Sequence, residues 1–361
     1  MFFDLTEEQQ MLQATVADYF TSEFPLATVR QAADGQLAER QRLWRDLAKL
    51  GAPGITLADE YGGSGLGVLD AAVLLEECGA AAAPAALLEH LVAGLAVAAS
   101  GDPEQRGRLL PGLASGEKRA TVAISEGRGK WRPDRWSVGA GGGLDGVKRF
   151  VVGAVTADVI VVGTSRGFSV VEPGAPGVEL EEVGSIDPTR PLHTLRLSGA
   201  AGEALDVTPE TVGTVYDTAL VLAAAQSFGG ARRCVDMSAQ YAKTREQFGT
   251  TIAHFQGVKH QFANLAVDVV PARTMYWYAA HLIVTGDADA ARFAALTKAH
   301  ICERYQRASR DMIELHGGIG YTWESDTNLL AKRALFDLGY LGTPASLREY
   351  VAQANGWLPV S

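Results

Sequence analysis

The hydrophobic pattern of the chain changes twice, and this limits the folds open to it. Apolar residues recur at helical spacing in the first and last parts of the sequence, whereas short runs rich in β-branched residues fill the middle. Thr6 and Gln9 predict a capping box at the first helix. We therefore predict an α+β protein with an N-terminal helical domain (1–118), a middle β-barrel or sandwich domain (119–205) and a C-terminal four-helix bundle (206–361).

The periodicity also predicts individual elements. Long helices are expected in the last part, over residues 211–243, 255–285, 287–315 and 325–338. Strands separated by glycine and proline are expected in the middle, over residues 121–124, 148–152, 159–162, 168–171 and 194–197.

Charge and cysteine usage exclude several classes of protein. The chain has 361 residues with 32 Lys and Arg against 42 Asp and Glu, a formal charge of −10, so it has no overall attraction to nucleic acid or anionic lipid. A local basic patch for a phosphate remains open. The three cysteines form no CxxC pair, so we expect free thiols in a reducing cytoplasm and no metal site. We expect no signal peptide and no membrane span, because the Ala-rich run at 80–100 is interrupted by Pro84 and Glu89.

Arg245 and Phe248 stand where one long helix ends and the next begins, just before Gln256. An arginine at a helix end can hold a phosphate, and an aromatic ring can pack on a flat ring system. From the residues alone, the alternative stays open that Arg245 pairs with an acid and that Phe248 belongs to the core.

A glycine cluster after a later helix is the second candidate. Glu314 and His316 precede Gly317, Gly318 and Gly320. Glycines allow close approach of a ligand, and their amides can face a phosphate. A helix C-cap followed by a turn, with a structural histidine, is the alternative.

Together these stretches resemble the acyl-CoA dehydrogenase family, and the resemblance covers almost the whole chain. The matching motifs are Leu5-Thr6-Glu7-Glu8-Gln9, the glycine-rich loop from Tyr61 to Gly65, Arg245-x-Gln-Phe-Gly, Phe255-Gln256, and Gly317-Gly318-x-Gly320-Tyr321-Thr322. The resemblance implies a helical–β–helical fold, FAD between the β domain and the bundle, and a tetramer in which the adenine and pyrophosphate of FAD reach a neighbouring subunit.

The resemblance also assigns seven residues to FAD. The residues that would contact the diphosphate and adenosine are Arg245, Phe248 and Gln256. Those that would approach the diphosphate from the other subunit are Glu314, Gly317 and Gly318, and Thr343 would lie near the flavin. Glu314 stands where the family carries a glutamine, and its charge would repel a phosphate unless a neighbour neutralised it.

The implied reaction is α,β-dehydrogenation of an acyl-CoA thioester, with an electron-transfer flavoprotein as electron acceptor. A carboxylate normally removes the α-proton. The two positions at which family members carry it are Leu341 and Ala219 here, and neither can take a proton. Asp217 is near, but it lies roughly 200° around the helix from Ala219. We expect Asp217 to be solvated or to cap a helix.

Two further departures surround the position of the flavin ring. The loop that usually reads Thr-Glu-Pro is Ser125-Glu126-Gly127, followed by a basic, Trp-containing stretch at 128–136. The Trp-x-Thr beside the ring is Phe150-Val151-Val152, so the threonine hydroxyl is lost.

Three functions fit this sequence. The first is an FAD-dependent acyl-CoA dehydrogenase whose base is displaced, with Asp217, Glu314 and Glu324 as the nearby carboxylates. The second is a non-catalytic subunit that completes the FAD site of a Glu-bearing paralogue in a hetero-tetramer, as occurs in steroid side-chain degradation in actinobacteria. The third is a flavoprotein of the same fold with other chemistry, such as a monooxygenase or nitroalkane oxidase, which no residue here supports.

Overall fold

The computed structural model describes residues 4–127 and 129–359. Its N-terminal part is helical: α1 (Glu7–Ser22), α2 (Leu26–Ala33), α3 (Leu37–Lys49), α4 (Val68–Ala80), α5 (Leu87–Ala98) and α6 (Pro103–Ala114). The predicted capping box is confirmed, because the Thr6 hydroxyl accepts the Gln9 N–H and the Gln9 side chain accepts the Thr6 N–H. Arg128, which begins the predicted basic stretch, lies outside the described residues.

The middle part contains two open sheets. The strands are β1 (Ala120–Ala123), β2 (Gly139–Ala140), β3 (Leu144–Val152), β4 (Val159–Thr164), β5 (Gly167–Val171), β6 (Val178–Val183), β7 (Leu192–Ala200) and β8 (Glu203–Ala204). One sheet has the order β1-β4-β5-β8 and the other β2-β3-β7-β6. A core that includes Val151, Ile160, Val162 and Leu195 is shared by strands of both sheets. Since the described strands form no closed barrel, the sandwich alternative is confirmed and the barrel alternative is wrong.

The C-terminal part is the predicted helical bundle. It comprises α7 (Pro209–Thr244), the hairpin β9 (Glu246–Gln247) and β10 (Thr250–Thr251), α8 (Gln256–Val269), α9 (Arg273–Thr285), α10 (Ala290–His316), α11 (Thr327–Gly339) and α12 (Pro344–Ala354). The single helix predicted over 255–285 is wrong. A short 3₁₀ turn containing Pro271 separates α8 from α9, because proline lacks the N–H that a helix interior requires.

Helix α7 is the central element of the bundle, and it packs against α4 with the two backbones in contact. A Cβ on Gly229 would lie 1.7 Å from the carbonyl oxygen of Glu76, and one on Gly79 would lie 1.8 Å from that of Gln226. Larger residues at these two glycines would force the helices apart.

Buried arginines join the three parts of the chain. Arg333 on α11 donates to Asp187 of the β domain and, at 3.1 Å, to the carbonyl oxygen of Ala83 between α4 and α5 of the N-terminal part. Arg190 donates to both carboxylate oxygens of Glu89 on α5. Neither arginine is more than 1% exposed, so each ion pair is removed from water.

Candidate functional site: two ends of one long helix

Arg245 is presented to solvent where α7 ends. Its N–H donates to the carbonyl oxygen of Tyr241 at 2.8 Å, and its own carbonyl oxygen accepts the N–H of Ile252 at 2.8 Å. The side chain is exposed, and its guanidinium forms no ion pair with any residue that the structure describes. The alternative that Arg245 pairs with an acid is therefore wrong, and its five N–H donors are available to a ligand.

Phe248 occupies the turn between β9 and β10. Its side chain is 95% exposed, so the alternative that it belongs to the core is wrong. It has φ +54° and is followed by Gly249 at φ +77°, a left-handed pair that a two-residue hairpin favours and that phenylalanine rarely adopts. Its ring meets Phe255 edge to face at 6.1 Å. An exposed aromatic ring on a strained turn is typical of a binding contact.

Gly317 and Gly318 lie open to solvent after α10. No atom lies within 4 Å of a Cβ built on either glycine, so packing in this chain does not require them. Gly317 has φ +64°, and its N–H closes the helix on the carbonyl oxygen of Glu314. The C-cap reading is thus correct for Gly317, while the open space leaves room for a ligand. Glu314 and Gln256 are also exposed.

The two motif regions lie at the same end of the bundle. The imidazole of His316 stacks on Tyr241 at 4.3 Å, and its Nδ1 is 2.7 Å from the carbonyl oxygen of Met312. His316 is therefore a structural residue, which was the alternative to a role in ligand binding. By holding the end of α10 against the last turns of α7, it brings Gly317 near Arg245.

The turn at 340–343 lies far from this end. Leu341 is 1% exposed and has φ +60°. The hydroxyl of Tyr216, near the start of α7, donates to its carbonyl oxygen at 2.8 Å, and the buried ammonium of Lys298 donates to that of Gly342. Thr343 caps α12 by accepting the Ser346 N–H at 3.2 Å. Ala219 is buried beside these groups on α7, also at 1% exposure.

Trp131 is the residue at this end that sequence reasoning missed. It is 6% exposed, its ring stacks on Phe150 at 6.1 Å, and it meets Tyr340 edge to face at 5.1 Å. The three segments that the resemblance arranges around a flavin ring therefore touch one another through this side chain. The tryptophan content of residues 128–136 was the only sequence signal for it.

Glu126 fixes the loop that carries Trp131. It accepts the ammonium of Lys148 at 2.6 Å and the backbone N–H groups of Ser137 and Val138 at 2.7 and 3.0 Å. Burial alone would raise the pKa of Glu126, but the hydrogen bonds from Lys148 and Ser137 lower that pKa to about 2. The loop is thus held by a carboxylate that stays charged.

Asp217 is neither a helix cap nor fully solvated. It is half-buried on α7 and lines a cavity of about 500 Å³ together with Arg132, Arg166 and Tyr350. Burial raises the pKa of Asp217 to about 7, although the charge of Arg132 opposes the shift. A carboxylate of this kind can exchange a proton near neutral pH.

Asp217→Asn tests that shift through stability. Because the folded state raises the pKa of Asp217, the contribution of this carboxyl to stability should fall as the pH rises from about 4 to about 7, and the asparagine variant should lack that contribution. At pH 8 we expect the variant to be the more stable by on the order of 1–3 kcal/mol, and near pH 4 the difference should vanish. Urea unfolding at both pH values measures it, and a constant difference would refute the shift.

Three comparisons bear on this geometry. The model of the acyl-CoA dehydrogenase N-terminal domain matches residues 6–117, and that of the C-terminal domain matches residues 218–355. An acyl-CoA dehydrogenase of Mycobacterium tuberculosis, IpdE2, is 33% identical over 91% of each chain. The chain belongs to the acyl-CoA dehydrogenase family.

Solved structures of this family have the same fold. A variant of the Tcur3481–Tcur3483 steroid acyl-CoA dehydrogenase has a TM-score of 0.88 at 30% identity, covering 97% of this chain and 99% of that one. The ChsE4–ChsE5 complex from Mycobacterium tuberculosis also gives 0.88, at 24% identity and full coverage of both chains. Family members are oxidoreductases that act on CH–CH groups, and FAD is their cofactor.

The residues fit the two parts of FAD unequally. Arg245, Phe248 and the open glycines offer unpaired donors, a ring and free backbone, which suit the diphosphate and adenosine. Where the resemblance places the flavin ring, the ring of Trp131 packs against Phe150 and Tyr340. A cavity of about 500 Å³ lined by Trp131, Tyr216 and Gly342 lies beside these rings, and the support for a flavin ring there is weaker than that for the diphosphate at the Arg245 end. Along α7, Tyr216 and Arg245 are separated by about 44 Å at a rise of about 1.5 Å per residue, so the two ends cannot hold the same dinucleotide.

Among the described residues, no helix is both long enough and apolar enough to cross a membrane. No group of three or more potential metal ligands occurs within residues 4–127 and 129–359.

Proposed function

We propose that this chain is one subunit of a hetero-oligomeric acyl-CoA dehydrogenase, and that it completes the FAD site of a paralogous subunit that carries the catalytic glutamate. The observation that carries the proposal is the contrast between the two ends of α7. Unpaired ligand-binding groups are exposed at the Arg245 end, whereas aromatic rings pack against one another at the Leu341 end.

Each exposed residue has a part in this proposal. Arg245 donates charge-assisted hydrogen bonds to the diphosphate, Phe248 packs on the adenosine, and Gly317 and Gly318 let the backbone approach closely. Gln256 lies beside them as the first residue of α8. FAD held by these residues would supply hydride-accepting chemistry, and the partner subunit would supply the base that removes the α-proton of the acyl thioester.

Leu341 and Ala219 also support the proposal that the partner subunit carries the catalytic base. Both are buried apolar residues at the positions where the family carries its base, so neither moves a proton. Thr343 is occupied as a helix cap.

In the proposed complex an electron-transfer flavoprotein reoxidises the flavin, and the complex works in the cytoplasm. Two similar proteins, Tcur3481–Tcur3483 and ChsE4–ChsE5, are named for two different chains each, and the first is a steroid acyl-CoA dehydrogenase. A steroid-derived acyl group is therefore the substrate class we propose.

The visible spectrum tests this proposal. The chain produced alone should carry no flavin, whereas the chain co-produced with a Glu-bearing paralogue should form a complex with about one FAD per two chains. Absorbance near roughly 450 nm, set against protein concentration, gives the ratio. One FAD per chain in the protein produced alone would overturn the proposal.

A second candidate is a self-sufficient dehydrogenase that uses Asp217 as its base. Its support is the half-buried carboxylate with a raised pKa on a cavity beside Arg132. This candidate requires the chain alone to bind FAD and to dehydrogenate acyl-CoA, with activity lost in Asp217→Asn. Activity should be kept in Asp236→Asn, which changes an exposed carboxylate of the same helix outside the cavity. The first proposal requires Asp217→Asn to leave the activity of the complex intact.

A further inference from the structure

A separate cavity lies between α3 and the middle domain. Its volume is about 340 Å³, which is within the range of small-molecule sites. Most of its wall is apolar and includes Leu37, Trp44, Ala86, Val152 and Pro191. None of the residues assigned to FAD lines it, so the FAD interface does not account for it.

Two arginines in the wall form no ion pair within 4 Å among the described residues. The guanidinium of Arg119 lies over the ring of Trp44 at 4.9 Å and makes no ion pair with the described part of the chain. Arg40 donates to the carbonyl oxygens of Ala32 and Pro188 instead of a carboxylate. The only acid in the wall, Glu182, is exposed. The wall therefore holds two guanidinium groups and one carboxylate beside its apolar part, while Asp158 and Asp187 act electrostatically on Arg119 and Arg40 from outside the wall.

His193 supplies a second, independent observation. It is 4% exposed and lines the same cavity, yet its Nδ1 has no hydrogen-bond partner among the described residues. Burial lowers the pKa of His193, against the opposing effects of Glu182 and of a hydrogen bond to the backbone of Val151, so the ring is neutral near pH 7. An unpaired buried nitrogen is costly unless a ligand satisfies it.

We propose that this cavity binds a small, mainly apolar carboxylic acid that carries a hydroxyl group. The carboxylate pairs with Arg119, and the apolar body fills the wall between Trp44 and Val152. The hydroxyl group meets Nδ1 of His193, because a hydroxyl can donate or accept and so suits either tautomer of the ring. This site does not depend on the proposed subunit role.

Calorimetric titration of the full chain with 10-hydroxydecanoate tests the site. We expect saturable binding, with decanoate weaker by roughly threefold or more, since it cannot pair with His193, and 1,10-decanediol weaker by roughly tenfold, since it lacks the charge. Arg119→Gln should weaken binding of the hydroxy acid by roughly tenfold. His193→Phe should abolish the preference for the hydroxy acid over decanoate.

Two further variants keep the result decisive. Arg196→Gln removes an exposed arginine of β7 outside the cavity and should leave binding unchanged, whereas Ala86→Phe fills the cavity and should abolish binding. Thermal melting first establishes that each variant is folded. Absence of saturable binding to the wild-type chain, or equal affinity of wild type and Arg119→Gln, would overturn the proposal.

Discussion

Arg333→Met should destabilise the protein by about 3–5 kcal/mol. The change leaves the carboxylate of Asp187, which is 0% exposed, without its charged partner, and it removes donors from the carbonyl oxygens of Ala82 and Ala83. A buried charge without a counter-charge is among the most costly defects in a protein interior. Urea unfolding monitored by circular dichroism measures the loss.

A matched surface pair provides the control. Arg196 and Glu181 form an ion pair of 2.9 Å on the exposed face of the sheet, so Arg196→Met should cost less than about 1 kcal/mol. The double change Arg333→Met with Asp187→Asn should recover part of the loss, because it neutralises the stranded carboxylate. Equal costs for Arg333→Met and Arg196→Met would show that the buried pair does not hold the three parts together.

Arg245→Gln should lower the affinity of the proposed hetero-oligomer for FAD by roughly 10- to 100-fold, because charge-assisted hydrogen bonds are stronger than neutral ones. Stability of this chain should not change, since the guanidinium has no partner within the described residues. The measurement is the flavin retained by the purified complex after dialysis, with the subunit ratio followed by size-exclusion chromatography.

Lys243→Gln is the matched control for this prediction. Lys243 is an exposed cation two positions before Arg245, so its loss changes the net charge equally without removing the proposed contact. We expect the control to retain flavin like the wild type. Equal retention by both variants would remove Arg245 from the site, whereas loss of assembly in Arg245→Gln alone would assign it to subunit contact.

Local signals predicted most of the fold. The capping box at Thr6 and the long periodic run of α7 are short-range patterns, and both are present. The helix predicted over 255–285 failed at Pro271, whose missing N–H is itself a local signal. The short strand β6 and helix α12 were not predicted. In β6 the alternation of polar and apolar residues is incomplete and its residues are partly or fully exposed. Helix α12 is short.

The candidate site could be predicted only in part. Continuous motifs contain Arg245, Phe248 and the glycines, so the sequence alone could predict these residues. Their exposure follows from the turn and the helix end where they lie. The contacts of Trp131 with Phe150 and Tyr340 join residues that are distant in sequence, so no local pattern encodes them. The raised pKa of Asp217 likewise comes from tertiary burial that spacing along α7 does not encode.

The exposed ring of Phe248 has a consequence for the abundance of the protein in a cell. Tyr321 and Trp357 are also largely exposed, at 77% and 73%, so an unassembled chain presents several aromatic side chains to water. Exposed aromatic surfaces associate non-specifically, and chains that carry them are bound by chaperones and degraded by proteases. Unassembled copies should therefore be degraded, so the lifetime and abundance of this polypeptide would follow the synthesis of the proposed partner subunit.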